Sequence, residues 1–322
     1  DEGGWWGRWS PTTPDGDALP RDIARERRDS ARYADAWKLG GGGGWNTKSY
    51  DPRLDVAMLS LAGGAYQGVF RNPLADPYLL GAAAGAGLGA TLIITLRVHL
   101  ALGPFSALQA AAFAGAIVAV AAAWLLGRGR DRSRSSASLI LAGVAVAALL
   151  TAVQTYYQQR SDATLRTAYT WILGSLASAD WHDVALVAPW ALIAAAVVLL
   201  HLRVLDVLAV GDDEAASLGL PVERSRLIVV AAATLATAAA VSVSGLIGFV
   251  GIIVPHAVRL LVGTSNRAVI PLSIVAGGAF LVFADLVART VVTPDEIPIG
   301  VITALIGAPF FLVLLARRVP QQ

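Results

Sequence analysis

Few side chains in this 322-residue chain could do chemistry, and three of them sit together inside an apolar run, GLIGFVGIIVPHAVRLLVG, residues 245–263. Pro255 opens a helix by removing a donor, His256 can exchange a proton, and Arg259 carries a permanent charge. A second polar group inside apolar sequence is Asp285, four residues before Arg289, the spacing at which an acid and a base meet on one helix face. Zero cysteines remove thiolate metal sites, disulfides and cysteine nucleophiles. His99, His182, His201 and His256 are scattered, with no HExxH-type metal spacing. GGGWNTKS, residues 42–49, nearly spells a phosphate-cradling loop, but Thr47 replaces the second glycine and no apolar strand precedes it. The chain is therefore expected to bind neither metal nor ATP, and its polar groups to act through charge pairing and helix breaking.

The elements that must hold these residues are apolar. Hydrophobic residues make up 56% and charged residues 15%, with a mean hydropathy of +0.61, far outside soluble composition. Residues 1–55 hold 9 of the 25 Lys+Arg and 10 of the 23 Asp+Glu, so the rest is poorer in charge still. A net charge of +2 is too small to point to nucleic acid.

Runs long enough to cross a hydrocarbon core of roughly 30 Å lie near residues 78–96, 105–126, 138–157, 184–202, 227–245, 269–287 and 299–316. Two shorter ones, 56–70 and 249–262, need thinning, tilt or burial among neighbours. Nine segments without strand-like alternation predict an all-α, polytopic bundle in the bilayer. Gly81, Gly85 and Gly89, at four-residue spacing, predict close helix approach.

Arg128, Arg130, Arg132 and Arg134, then Arg203, Arg224 and Arg226, then Arg267, then Arg317 and Arg318 all fall on one side of alternating spans. That side is expected to be cytoplasmic, the C-terminus with it. The opposite loops, QQRSDATLRTAY, ASADWHDV and VVTPDEIP, are mixed or acidic. Nine spans with a cytoplasmic C-terminus put the N-terminal side outside, so parity calls for one more crossing or one segment that does not cross.

Residues 1–55 contain no apolar run and read as a disordered or aberrant segment, residues 56–318 as the transmembrane domain, and residues 319–322 as a cytoplasmic tail. Two loops stand out. In QGVFRNPLADPYLLG, residues 67–81, Pro73 and Pro77 limit helix continuation while Asn72 and Asp76 can satisfy freed donors. In AVGDDEAASLGLPVERSRL, residues 209–227, Asp212 or Asp213 can cap a short helix through Leu218, Gly219 can end it, and Pro221 stops its continuation. Such a capped helix at the membrane surface suits a soluble partner.

RNPLADPYLLG, LAGVA, WILGSL, GDDEAASLG, GFVGIIVPHAVRLLVG, NRAVIPLS, ADLVAR and EIPIGVITALIGAPFFLVLL follow one another from about residue 61 to residue 318. In this order they resemble the FecCD or BtuC-like permeases of binding-protein-dependent ABC importers. The resemblance implies ten helices per subunit, a homodimer or a pair with a paralogous permease, a separate ATPase that binds ATP and Mg, an extracytoplasmic substrate-binding protein, and a multi-pass place in the bacterial inner membrane. The chain itself would then bind no cofactor and catalyse nothing.

Carried over by position, Gly211, Asp212, Asp213, Glu214, Ala215, Ala216, Ser217, Leu218 and Gly219 match the loop helix that docks into the ATPase. Arg289 matches an outward arginine that meets the binding protein, and Ser135, Ser136, Ala137 and Ser138 match the cytoplasmic mouth of the pathway. Asn72, Pro73, Asp76, Pro77, Gly248, Pro255, His256, Arg259 and Asp285 belong to the shared motifs. The family's first helix and its RLPR stretch find no counterpart beyond DPRLDVAML, residues 51–59.

The expected cargo is an iron chelate, a siderophore or haem, with cobalamin as the alternative. From another class stand an ion-coupled secondary transporter using Asp285 and a non-functional truncated paralogue. Orientation leads to two expectations for the opening stretch: Arg259 snorkels to the inner face, and neighbours satisfy the carbonyl freed by Pro255. His256 is read as a structural polar contact, with ATPase coupling as the other reading.

Overall fold

The computed structural model describes residues 53–98, 101–102, 105–127, 136–160, 162–176, 181–292 and 296–317. Residues 1–52, including the near-phosphate loop, lie outside them, as do Ser135 and Arg128 to Arg134.

A helix that the sequence marks as short forms the axis. In α1, Arg53–Phe70, every residue from 57 to 70 is buried, so burial among neighbours, not thinning, accommodates its length. A 3-10 turn, Pro77–Leu80, leads into α2, Ala82–Leu96, and a two-residue hairpin (β1, Ala101–Leu102; β2, Phe105–Ser106) into α3, Ala107–Gly127. Then come α4, Ser136–Gln158; α5, Asp162–Ile172; and α6, Trp181–Leu200. Next are α7, Leu202–Val210; α8, Asp212–Ser217; and α9, Val222–Ser244. The chain closes with α10, Val250–Val262; α11, Asn266–Thr290; and α12, Ile299–Arg317.

Five of these, α3, α4, α6, α9 and α11, are long and apolar enough to cross a membrane, and α2, α10 and α12 are shorter apolar helices. The bundle is helical as expected, with the small hairpin as an addition. Two helices lie where the sequence predicts loop. α5 carries Asp162 and Arg166 and is amphipathic, and α7 carries Arg203 and Asp206, so neither shows an uninterrupted apolar run.

Packing around α1 depends on small residues. A side-chain carbon on Gly63 would run into the backbone of Gly251, so α1 and α10 touch main chain to main chain. Gly85 and Gly89 meet α3 at Gly115 and Ala111 in the same way, whereas Gly81 serves a different purpose: its φ of 89° turns the chain into α2. Burying α1 on all sides leaves its polar groups to find partners inside. Tyr66 Oη lies 3.0 Å from Thr234 Oγ1 of α9, and Gln67 reaches α10.

The two ends of the bundle are distinct. At one, Gln109 Nε2 at the start of α3 donates to Asp183 Oδ1 at the start of α6, 2.8 Å. At the other, Asp206 of α7 pairs with Arg267 at 3.4 Å, Arg71 pairs with Asp212, and Ser138 Oγ of α4 donates to the Gly127 carbonyl, 3.3 Å. The arginines of the 203–226 stretch and Arg267 thus share one end.

Candidate functional site

The short helix α8 is built as a knob. Gly211 is its N-cap and no side chain caps it, so the expectation that Asp212 or Asp213 would do so is corrected. The reason is a stronger demand on the carboxylate. Asp212 accepts two 2.9 Å hydrogen bonds from Arg226 Nη2, one on each oxygen, and Arg71 Nη2 lies 3.4 Å away. Arg226 is only 1% exposed, and Glu223 sits 3.6 Å from its other nitrogen. A guanidinium that deeply buried requires anionic partners, and it takes Asp212 away from capping.

The other end of α8 follows the sequence. Gly219 adopts φ 80°, its N–H donates to the Ala216 carbonyl at 2.9 Å, and Leu220 N–H donates to that of Ala215 at 3.1 Å. The left-handed turn that glycine allows closes the helix. Pro221 then stands as N-cap of α9. Ala215 is fully buried as the anchor, while Asp213, Glu214, Ala216, Ser217, Leu218 and Gly219 face outward. Leu218 alone is 74% exposed. The knob thus presents an apolar tip and two acids on a rigid base.

Beneath it lies the stretch around Pro255. Lacking an N–H, Pro255 leaves the Gly251 carbonyl without its intrahelical donor. Gln67 Nε2 of α1 donates to that carbonyl at 3.2 Å and to the Ile252 carbonyl at 3.3 Å. The freed carbonyl is met from a neighbouring helix, as expected. Arg259 is half-buried and its guanidinium is engaged inside the bundle: Nη1 donates to Gln67 Oε1 at 2.8 Å and Nη2 to Asn266 Oδ1 at 3.1 Å, so internal acceptors replace the expected reach to the inner face. Asn266 N in turn donates to Asp206 Oδ1 at 2.7 Å.

His256 is buried on α10, edge-on to Phe310 of α12 with ring centroids 6.1 Å apart. This burial gives it no surface for a soluble partner. Gly248 stands in the loop before α10, where Phe249 adopts φ 68°. Left-handed backbone is a strained place for an aromatic residue and marks the sharp entry into α10.

The 71–81 loop is held to the same region. Asn72 Oδ1 accepts from Leu74 N at 3.0 Å and Asp76 Oδ1 from Tyr78 N at 2.8 Å. Tyr78 Oη donates to the Ile247 carbonyl at 3.1 Å. Pro77 is buried at the first position of the 3-10 turn and Pro73 is half-buried just before it.

At the opposite end, Arg289 Nε pairs with Asp285 Oδ2 at 2.8 Å, the i, i+4 contact that the spacing predicts. Ser135 lies outside the described residues; Ser136 opens α4, Ala137 is exposed and Ser138 bridges to the end of α3. The structure thus brings Arg71 to Asp212 and Arg226, and Gln67 to Arg259 and Asn266, while Tyr78 reaches deeper to Ile247 and Asp285 pairs with Arg289 at the far end of α11.

Arg226, Arg71, Gln67 and Asp206 were not singled out as site residues. The signal for Arg226 was its place in the first turn of an apolar helix, fourteen residues after an aspartate. For Gln67 it was the certainty that Pro255 needs a donor from elsewhere.

Apolar helices around a central helix buried from residue 57 to residue 70, with a short charged helix displayed beside them, define a polytopic α-helical membrane protein. The chain belongs to the FecCD transport family, whose sequence pattern matches residues 56–317. A cobalamin import system permease protein, BtuC, from Halobacterium salinarum is 45% identical over 262 residues, 81% of this chain and 69% of that one. The hemin transport system permease protein HmuU of Yersinia pestis is 37% identical over 300 residues, 86% of this chain and 88% of that one. A solved metal-chelate type ABC transporter in an inward-facing conformation superposes with a TM-score of 0.75 at 30% identity, covering 83% of this chain and 84% of the other.

Proposed function

We propose that this chain is the membrane-embedded permease subunit of an ABC importer, moving a bulky metal chelate inward on ATP hydrolysed by a separate subunit. The observation that carries this is α8: an exposed tip of Asp213, Glu214, Ser217 and Leu218 on a base locked by Asp212 and the buried Arg226. A knob that cannot rotate on its base transmits a push from an ATPase as a rigid-body movement of α9 and α1. ATP and Mg belong to that ATPase, and this chain holds no cofactor.

The end bearing α8, Arg203, Arg224 and Arg267 faces the cytoplasm, the C-terminus with it. Arg289 at the other end meets acidic residues of an extracytoplasmic binding protein. α4 is covered least of the five long helices, with Leu141, Leu149 and Tyr156 all at least 60% exposed. That face suits a second permease, a copy of this chain or a paralogue, with the pathway between the two and the mouth near Ser136 to Ser138.

An iron chelate, siderophore or haem, is the first reading of the cargo, and the similarity to a hemin permease supports it. A specific observation favours a second reading, cobalamin: the Halobacterium salinarum relative with that printed substrate is 45% identical. Ion-coupled transport through Asp285 fares worse, since that carboxylate is already engaged by Arg289.

The test is reconstitution of the full chain in liposomes with its cognate ATPase and binding protein. Uptake of radiolabelled ferric siderophore, haem and cobalamin is compared with and without ATP. ATP-dependent uptake of one of them is expected; uptake that follows an ion gradient without ATP overturns the proposal.

A further inference from the structure

The last turn of α1 carries more than packing. Arg71 follows the helix in a left-handed conformation, φ 51°, where glycine usually sits, and Asn72 N–H closes back on the Gln67 carbonyl at 3.3 Å. A non-glycine residue there is strained, and strain held in place points to a side chain wanted at that spot. The side chain of Arg71 reaches Asp212 of α8. Four residues earlier, and therefore one turn along the same face, Gln67 holds the two carbonyls at the Pro255 break and accepts from Arg259. Arg259 continues to Asn266, and Asn266 to Asp206 of α7, the helix that leads into α8. The polar groups form a closed circuit: α8 to α1 through Arg71, α1 to α10 through Gln67, α10 to α11 through Arg259, and α11 to α7 through Asp206.

We infer that the Gln67–Arg71 turn of α1 is the joint that ties movement of α8 to the break in α10, with Gln67, Arg71 and Arg259 as positioning residues. α10 is the element suited to move. It is short, lacks one internal hydrogen bond at Pro255, is entered through a strained Phe249, and touches α1 main chain to main chain where Gly251 faces Gly63 and Leu59. A push on α8 reaches it through side chains that bind backbone carbonyls, which are directional and therefore carry rotation as well as translation. The inference rests on the importer reading for what does the pushing, but the joint itself is a property of this chain.

The absence of cysteine makes the test direct, because introduced thiols are the sole labelling sites. Spin labels at Ser217→Cys on α8 and Leu261→Cys on α10, both exposed, report the joint by pulsed EPR in the full-length permease in nanodiscs. Labels at Leu125→Cys and Leu192→Cys on the adjacent helices α3 and α6 serve as reference. Gln67→Leu and Arg71→Gly are each expected to shift and broaden the α8–α10 distances while leaving the α3–α6 distances unchanged. Combining them should add little, since both open one circuit.

Arg71→Gly gives up the half-exposed Arg71–Asp212 pair but relieves backbone strain of similar size, so it is expected to melt within a few degrees of the parent chain, which separates its effect from misfolding. With the ATPase and binding protein present, both variants should lose about tenfold in substrate moved per ATP hydrolysed while hydrolysis persists, and Arg259→Lys should lose less than Arg259→Met. Unchanged α8–α10 distances in both variants, or equal changes in the reference pair, overturn the joint. A parent chain whose distances ignore nucleotide in the complex overturns the importer reading instead.

Discussion

Replacing Asp212 with alanine should destabilise the permease by about 2 kcal/mol. Arg226 is buried to 1% exposure and donates two 2.9 Å hydrogen bonds to this one carboxylate. Removing one partner of a buried ion pair costs about 3–5 kcal/mol, because the remaining charge stays desolvated. Two features lower the figure here: Asp212 is 35% exposed, so water partly replaces it, and Glu223 remains 3.6 Å from Arg226. A loss of about 2 kcal/mol reduces the folded-to-unfolded ratio roughly 30-fold.

The assay is equilibrium unfolding in mixed micelles of rising SDS content, followed by tryptophan fluorescence, with Arg226→Met and the double variant alongside. Arg226→Met removes the charge that needs a partner, so the double variant should lose at least about 1 kcal/mol less than the sum of the single losses. Stability of Asp212→Ala within about 0.5 kcal/mol of the parent, or strictly additive losses, would refute the reasoning that Asp212 neutralises Arg226.

Leu218→Glu at the exposed tip of α8 should leave unfolding within about 0.5 kcal/mol of the parent, as surface changes do; it should abolish co-purification with the ATPase, read by affinity pull-down. Arg289→Glu should weaken capture of the binding protein and reverse the sign of its salt dependence, measured by surface plasmon resonance over a range of ionic strength, since charge pairs at an interface rim are screened. Gly63→Leu should block the α1–α10 contact and yield aggregated protein in gel filtration, because any side chain there meets the Gly251 backbone; a monodisperse, folded variant would contradict the packing.

Most of the bundle was legible because apolar length is a direct reading of bilayer thickness, and α3, α4, α6, α9, α11 and α12 fall where their runs predict. The 245–263 stretch announced a short helix missing one internal bond at Pro255, and GDDEAASLG announced α8 through Gly219. Partner choice was not legible. Gln67 and Gly251 are 184 residues apart, and Gln67 and Arg259 192 apart, so no local pattern joins them. Asp212 had an ordinary local use as a cap, and only the fold brings a buried arginine to outbid it. α5 and α7 were hidden for another reason: amphipathic helices at the bundle ends mix charge with apolar residues, as loops do.

The burial of α1 also sets a schedule for the ribosome. Its polar side chains Tyr66 and Gln67 are matched by Thr234 and Gly251, encoded 168 and 184 residues later. At about 5–20 residues per second, the central helix waits roughly 10–40 s for its partners to be synthesised. During that interval a helix with no lipid-facing side of its own must be sheltered, by the insertion machinery or by α2 to α4, and slowing elongation between the two should raise the fraction of chains that are degraded.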